Sequence, residues 1–120
     1  MTDAVIADLD GTLVDVSSIL HHVAGDERDF AAFHSASRDC PPRPEVVEAV
    51  RAAHEQGRAV LVVTSREFVW RDLTLDWLQQ HDVPYDQLEK DGYRVVEAWE
   101  DAEDIADLWR SRGIDVHVVG

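Results

Sequence analysis

The sequence predicts an α/β fold: a three-layer sandwich built on a mostly parallel sheet of about five strands. Three observations carry that expectation. Short apolar runs alternate with segments at helical spacing, the order of a parallel sheet covered on both faces. Ala59–Val63 is a continuous apolar run of the kind that forms a strand buried on both sides. The chain has 120 residues, 45% of them hydrophobic, enough for one domain (1–120) with a packed core.

The elements follow in order. Val5-Ile6-Ala7-Asp8-Leu9 reads as a short buried strand ending in a turn at Asp10-Gly11-Thr12. Residues 13–43 have weak periodicity and read as a loop with one helical piece near Phe30–Ser37. Pro44 suits the first turn of a helix, Val46, Val47, Val50 and Ala53 or His54 form its apolar stripe, and Gly57 ends it. After the Ala59–Val63 strand, a helix is predicted from about Phe68 to Gln80, with Val69, Trp70, Leu73, Trp77 and Leu78 inward. Val83–Leu88 reads as a possible strand and Tyr93–Trp99 as a better one. Asp101–Arg112 reads as a helix with Ile105, Leu108 and Trp109 inward, and Ile114–Val119 as a last strand. One step is awkward. The link from Leu88 to Tyr93 is too short for a parallel crossover, so Val83–Leu88 is irregular or the sheet is rearranged there.

Charge and composition exclude several classes. Twenty-five acidic residues against eleven basic ones give a formal charge of −14, which opposes broad contact with a nucleic-acid backbone. A small site gripping one phosphate through a metal remains compatible with it. A single cysteine, Cys40, rules out an internal disulfide framework and any multi-cysteine metal site. No apolar run is long enough to span a membrane, and Met1-Thr2-Asp3 does not begin a signal peptide. A reducing, cytoplasmic setting is expected.

In a parallel sheet the ligand sits beyond the carboxyl ends of the strands. The residues there are Asp8–Thr12, Thr64–Glu67, Leu88–Asp91 and Glu100-Asp101. Asp8-Leu9-Asp10-Gly11-Thr12 is the strongest signal. Clustered carboxylates oppose each other's ionisation, and a hard cation such as Mg²⁺ relieves that with oxygen ligands. An Asp-Gly turn whose carboxylates satisfy turn amides is the plain alternative. His21-His22 lacks a spaced third ligand, and Cys40 has no candidate base beside it in sequence. The tryptophans, at helix or strand spacing, read as core packing.

Asp8-Leu9-Asp10-Gly11-Thr12-Leu13 resembles the first signature of the haloacid-dehalogenase-like phosphohydrolases. Val62-Val63-Thr64-Ser65-Arg66-Glu67 is similar to their second signature, and Ala98-Trp99-Glu100-Asp101 to the fourth. Thr64-Ser65-Arg66-Glu67 with Val83-Pro84-Tyr85-Asp86 resembles, within that superfamily, the 3′-phosphatase domain of polynucleotide kinase-phosphatases and its small relatives. The resemblance implies a Rossmann-like sheet with no large cap and an Mg²⁺-dependent phosphomonoester hydrolase. It makes Asp8 the nucleophile and Asp10 the general acid and base. Thr64 and Arg66 hold the phosphoryl group, and Asp8, Asp10 (through its carbonyl), Glu100 and Asp101 form the metal set. The substrate it implies is a nucleotide or a nucleic-acid 3′-phosphate end.

This chain departs from the pattern in three places. The acidic pair is Glu100-Asp101 where relatives carry Asp-Asp. A segment with a helix and a catalytic Lys is missing before Tyr93, and Lys90, the chain's one lysine, is the candidate to replace that Lys. Ile19 stands where relatives often carry Arg. These departures keep a second reading open: a shortened, catalytically impaired domain that binds or regulates.

Overall fold

A computed structural model describes residues 2–86 and 93–119. Four strands form one sheet in the order β2-β1-β3-β4, with β1 at Thr2–Asp8, β2 at Ala59–Val63, β3 at Tyr93–Glu100 and β4 at Asp115–Val118. Every pairing is parallel. The helices are α1 (Phe30–Ala36), α2 (Pro44–Glu55), α3 (Arg71–Gln80) and α4 (Glu103–Ser111). Short 3₁₀ turns occupy Ser17–His22, Ser37–Asp39 and Phe68–Trp70.

Alternation along the strands divides the core into two. Val5 and Ala7 of β1 and Val60 and Val62 of β2 pack against Val46, Val47 and Val50 of α2, Phe33 of α1, and Trp77 and Leu78 of α3. The opposite face, with Ala4, Ile6, Leu61 and Ala98, packs against Trp109 of α4. The sheet is thus the middle of three layers, as the sequence predicts. Pro44 stands in the first turn of α2, and Gly57 beyond its end takes φ +83°, which glycine adopts at little cost.

Three expectations are corrected. The sheet has four strands among the described residues, because Val83–Asp86 forms none. Pro84 has no N–H for a ladder, and Asp86 instead brackets the outer edge of β2. Its Oδ2 accepts from Val60 N at 2.7 Å and its own N–H donates to Val60 O at 2.8 Å. With that segment removed from the sheet, the chain after β2 crosses β1 through α3 to reach β3, and the awkward link disappears. Second, Val69 is 74% exposed, because Phe68–Trp70 is a 3₁₀ turn standing off the core and α3 begins only at Arg71. Third, Ile105 and Leu108 are exposed. Ala106 and Trp109, three apart, are the residues α4 buries. No helix among the described residues is long and apolar enough to cross a membrane.

Candidate functional site

Parallel pairing brings the carboxyl ends of β1, β2 and β3 to one edge of the sheet. Asp8 is the last residue of β1, Glu100 the last of β3, and Thr64–Glu67 follows β2. β1 lies between β2 and β3, so Asp8 stands where the strand order turns back.

The chain leaves β1 through a tight loop. Leu13 N and Val14 N donate back to Asp8 O at 3.2 Å and Leu9 O at 2.9 Å, and Gly11 N donates to Val14 O at 2.9 Å. Leu9, Leu13 and Val14 are buried and anchor the loop in the core. Arg43, just before α2, donates Nε to Gly11 O at 3.0 Å and its backbone N–H to Leu13 O at 2.9 Å. Gly11 has φ +83°, and a Cβ there would overlap the Asp101 carboxylate. Thr12, fully buried, donates Oγ1–H to Asp101 Oδ1 at 3.2 Å. Asp101 is thereby laid over the β1 loop.

The loop separates two electrostatic groups. In the first, ligand oxygens of Asp8, Glu100 and Asp101 lie within 4.8 Å of one another. Burial, the hydrogen bond to Asp101 and the Glu100 and Asp101 charges push the Asp8 carboxyl up to about 9. Burial also raises Glu100, whose Oε1 accepts from Asp101 N at 3.1 Å and Ala102 N at 3.2 Å. Those bonds make Glu100 a brace for the start of α4. The donor set is all carboxylate, hard oxygen with excess negative charge, and it fits Mg²⁺.

In the second group, Arg66 turns its fork onto Asp10. Its Nε donates to Asp10 Oδ2 at 2.9 Å and its Nη2 to Asp10 Oδ1 at 2.5 Å. Nη1 also donates to Thr74 Oγ1 and Nη2 to Ser37 Oγ, each at 3.0 Å. The Arg66 side chain is only 3% exposed. Thr64 Oγ1 accepts the Arg66 backbone N–H at 3.0 Å, which fixes the turn after β2.

Residues 2–92 match the family model described as the polynucleotide kinase PNKP phosphatase domain. The chain belongs to this family. PNKP phosphatase domains are haloacid-dehalogenase-like, as the first and second signatures imply. The acidic pair Glu100-Asp101 lies beyond the matched stretch, so its place in the site rests on the fold. Among curated protein sequences none matches. Among solved structures, one in the Pnkp1/Rnl/Hen1 complex superposes with a TM-score of 0.79 at 23% identity, covering 99% of this chain and 46% of that one. The class C acid phosphatase from Bacillus anthracis superposes at 0.74 and 13% identity, covering 98% of this chain and 66% of that one. This chain therefore spans less than half of the chain that it matches in that complex.

Against the PNKP-like expectations, Asp8, Glu100 and Asp101 come together, and Asp10 and Arg66 come together. The Asp10 carboxylate turns to Arg66 and away from the acidic cluster, leaving its backbone carbonyl as the metal contact the family pattern implies. Lys90 lies outside the described residues. Ile19 is buried in the core. Cys40 is buried too, and burial raises its thiol, in keeping with an inert role. Ser37, Arg43 and Thr74 also belong to the site, although they stand in no signature. One signal existed: Thr74 is a polar residue one turn from Leu78 on the buried stripe of α3, where an apolar residue would be expected.

Proposed function

We propose that this chain is an Mg²⁺-dependent phosphomonoester hydrolase that works through an aspartyl-phosphate on Asp8, with a nucleotide or nucleic-acid 3′-phosphate as substrate. The observation that carries the reading is the placing of a half-buried, desolvated carboxylate at the end of β1 two residues before an Arg-held carboxylate. A binding module has no need of that division between Asp8 and Asp10.

Asp8 and Asp101, with the Asp10 carbonyl and with Glu100 behind them, would hold Mg²⁺, which when bound supplies charge neutralisation for the transferring group. An Asp8 oxygen attacks phosphorus, the bond to the leaving oxygen breaks, and Asp10 gives that oxygen a proton. Water then attacks the aspartyl-phosphate. Asp10 takes its proton, the bond to Asp8 breaks, and inorganic phosphate leaves. Arg66 aims Asp10 in the free protein; when substrate phosphate takes over the guanidinium, the released Asp10 carboxylate takes a proton from solvent, and that is the proton it passes to the leaving oxygen. Thr64 presents its hydroxyl proton to a phosphoryl oxygen.

The test is phosphate release from a panel of monoesters, with and without Mg²⁺, for the wild type and Asp8→Asn. Mg²⁺-dependent release lost by several orders of magnitude in Asp8→Asn supports the reading. Equal release by the variant would place the chemistry elsewhere. Mg²⁺ binding with no release from any ester would leave the binding or regulatory module as the function.

A further inference from the structure

Beside Asp10 the structure opens a cavity of about 600 Å³ that the hydrolytic chemistry does not use. Its wall is apolar and ring-rich. Phe30 and His34 come from α1, and Val69 and Trp70 from the 3₁₀ turn after β2. His34 is the centre of the ring cluster, 5.4 Å from Trp70 and 6.4 Å from Phe30 between centroids. Burial, then the Arg66 charge, lowers its pKa, so at neutral pH it presents an uncharged flat ring. Its Nδ1 is buried with no hydrogen-bond partner among the described residues. No hydrogen bond at Nδ1 helps to hold the ring among the described residues, and its neighbours Phe30, Phe33 and Trp70 pack around it.

Two further features call for an explanation. Phe30 is 53% exposed and Val69 74%, two large apolar side chains lining this one cavity on a strongly acidic surface. The cavity is also the right size for one small ligand. Asp10 and Glu67 line it, and both are acidic, so a second phosphate or any other anion is disfavoured there. The occupant is apolar or planar, uncharged, and attached to the phosphate that Asp8 attacks, on the side from which Asp10 protonates the leaving oxygen.

We infer that this cavity is a stacking pocket for the leaving group, in which Trp70, Phe30 and His34 hold the nucleobase of the nucleoside that bears the phosphate. The inference rests on the proposed hydrolase reading and goes further by assigning substrate selection to residues outside all three signatures. Aromatic rings take any base face without reading its edge, so the pocket selects nucleosides over aliphatic alcohols while discriminating weakly among bases. One base is held, and the acidic surface beyond offers no track for the next.

The experiment compares adenosine 3′-monophosphate with glycerol 2-phosphate as substrates for the wild type, Trp70→Ala and Phe30→Ala. In parallel, adenosine, which carries no phosphate, is titrated into Asp8→Asn protein with and without Phe30→Ala, following tryptophan fluorescence. The wild type should favour the nucleotide, and Trp70→Ala should lower kcat/KM for it roughly ten- to a hundredfold while changing glycerol 2-phosphate hydrolysis little. Adenosine should quench fluorescence saturably, and Phe30→Ala should weaken that binding. Equal kcat/KM for the two substrates in the wild type, or a proportional loss on both in the variants, overturns the pocket. If Trp70→Ala does not fold, Phe30→Ala, at a half-exposed position, decides by the same ratio. Hydrolysis of glycerol 2-phosphate without adenosine binding refutes the pocket and leaves the hydrolase intact. Adenosine binding without hydrolysis of either ester does the reverse.

Discussion

Arg66 donates to both carboxylate oxygens of Asp10, across 56 residues of sequence, from a side chain that is 3% exposed. The first and second signatures meet at this contact. One guanidinium also reaches Ser37 beyond α1 and Thr74 in α3, so the pair ties the catalytic loop to the helical layer.

Removing that guanidinium leaves Asp10, Ser37 and Thr74 without a shared donor. Arg66→Ala should destabilise the fold toward the lower end of the roughly 3–5 kcal/mol seen when a buried pair loses one partner, because Asp10 retains some solvent contact. Arg66→Lys should recover little, since an ammonium lacks the planar fork. Urea unfolding of Arg66→Ala, Asp10→Asn and the double variant measures the coupling. Additive costs would show that the pair contributes nothing.

Gly11 and Gly57 share φ +83°, but only Gly11 has a neighbour in the way of a Cβ. Gly11→Ala and Gly57→Ala should each lose about 1–3 kcal/mol to backbone strain. Only Gly11→Ala should also displace the Asp101 carboxylate and weaken Mg²⁺ binding. Thermal unfolding with and without Mg²⁺ separates the two effects. An unchanged Mg²⁺ response in Gly11→Ala would mean that Asp101 is not a ligand.

The acidic cluster makes stability depend on pH in a definite direction. Asp8 titrates at about 9 in the native state and near 3.8 when unfolded. Between those values the native state holds the extra proton, so metal-free stability should fall as pH rises from about 4 to about 9. Glu100, also raised, adds to the same slope. Asp8→Asn should flatten it. Mg²⁺ binds the native site only, so its stabilisation, about 2.7 kcal/mol at a hundredfold excess over Kd, should grow with pH as the competing proton is lost. Tm measured in EDTA and in Mg²⁺ across this range is the check, and a metal-free Tm that climbs toward pH 9 would contradict the cluster.

The net charge of −14 argues against a long nucleic-acid track. A mononucleotide 3′-phosphate and a longer 3′-phosphorylated oligonucleotide should have similar kcat/KM, with a shallow salt slope, since each neutralised phosphate contributes only roughly −0.7 to −0.9. A hundredfold preference for the oligonucleotide, lost as salt rises, would reveal a track that this composition does not suggest.

Legibility in the sequence followed range. Ala59–Val63, the Pro44 helix start and the Asp8–Thr12 turn are set by nearest-neighbour sterics and periodicity, so the chain itself determined them. It also determined which carboxylates stand at strand ends. Only tertiary structure decided that Asp10 turns to Arg66 while Asp8 joins Glu100 and Asp101, because both carboxylates leave the same loop and only their distant partners differ. Ser37 and Thr74 could not be seen as partners of Arg66 before α1 and α3 were packed on one face. Nor could Trp70, read by spacing as core, be seen lining a cavity until a 3₁₀ turn had lifted it off α3. Asp86, read as part of a strand, became the bracket on β2, since an edge strand presents unpaired backbone groups that a nearby carboxylate can satisfy without a ladder. Local rules decided the elements. The ion pair of Arg66 with Asp10 across 56 residues, and the hydrogen bond from Thr12 to Asp101 across 89, depended on where each crossover returned the chain.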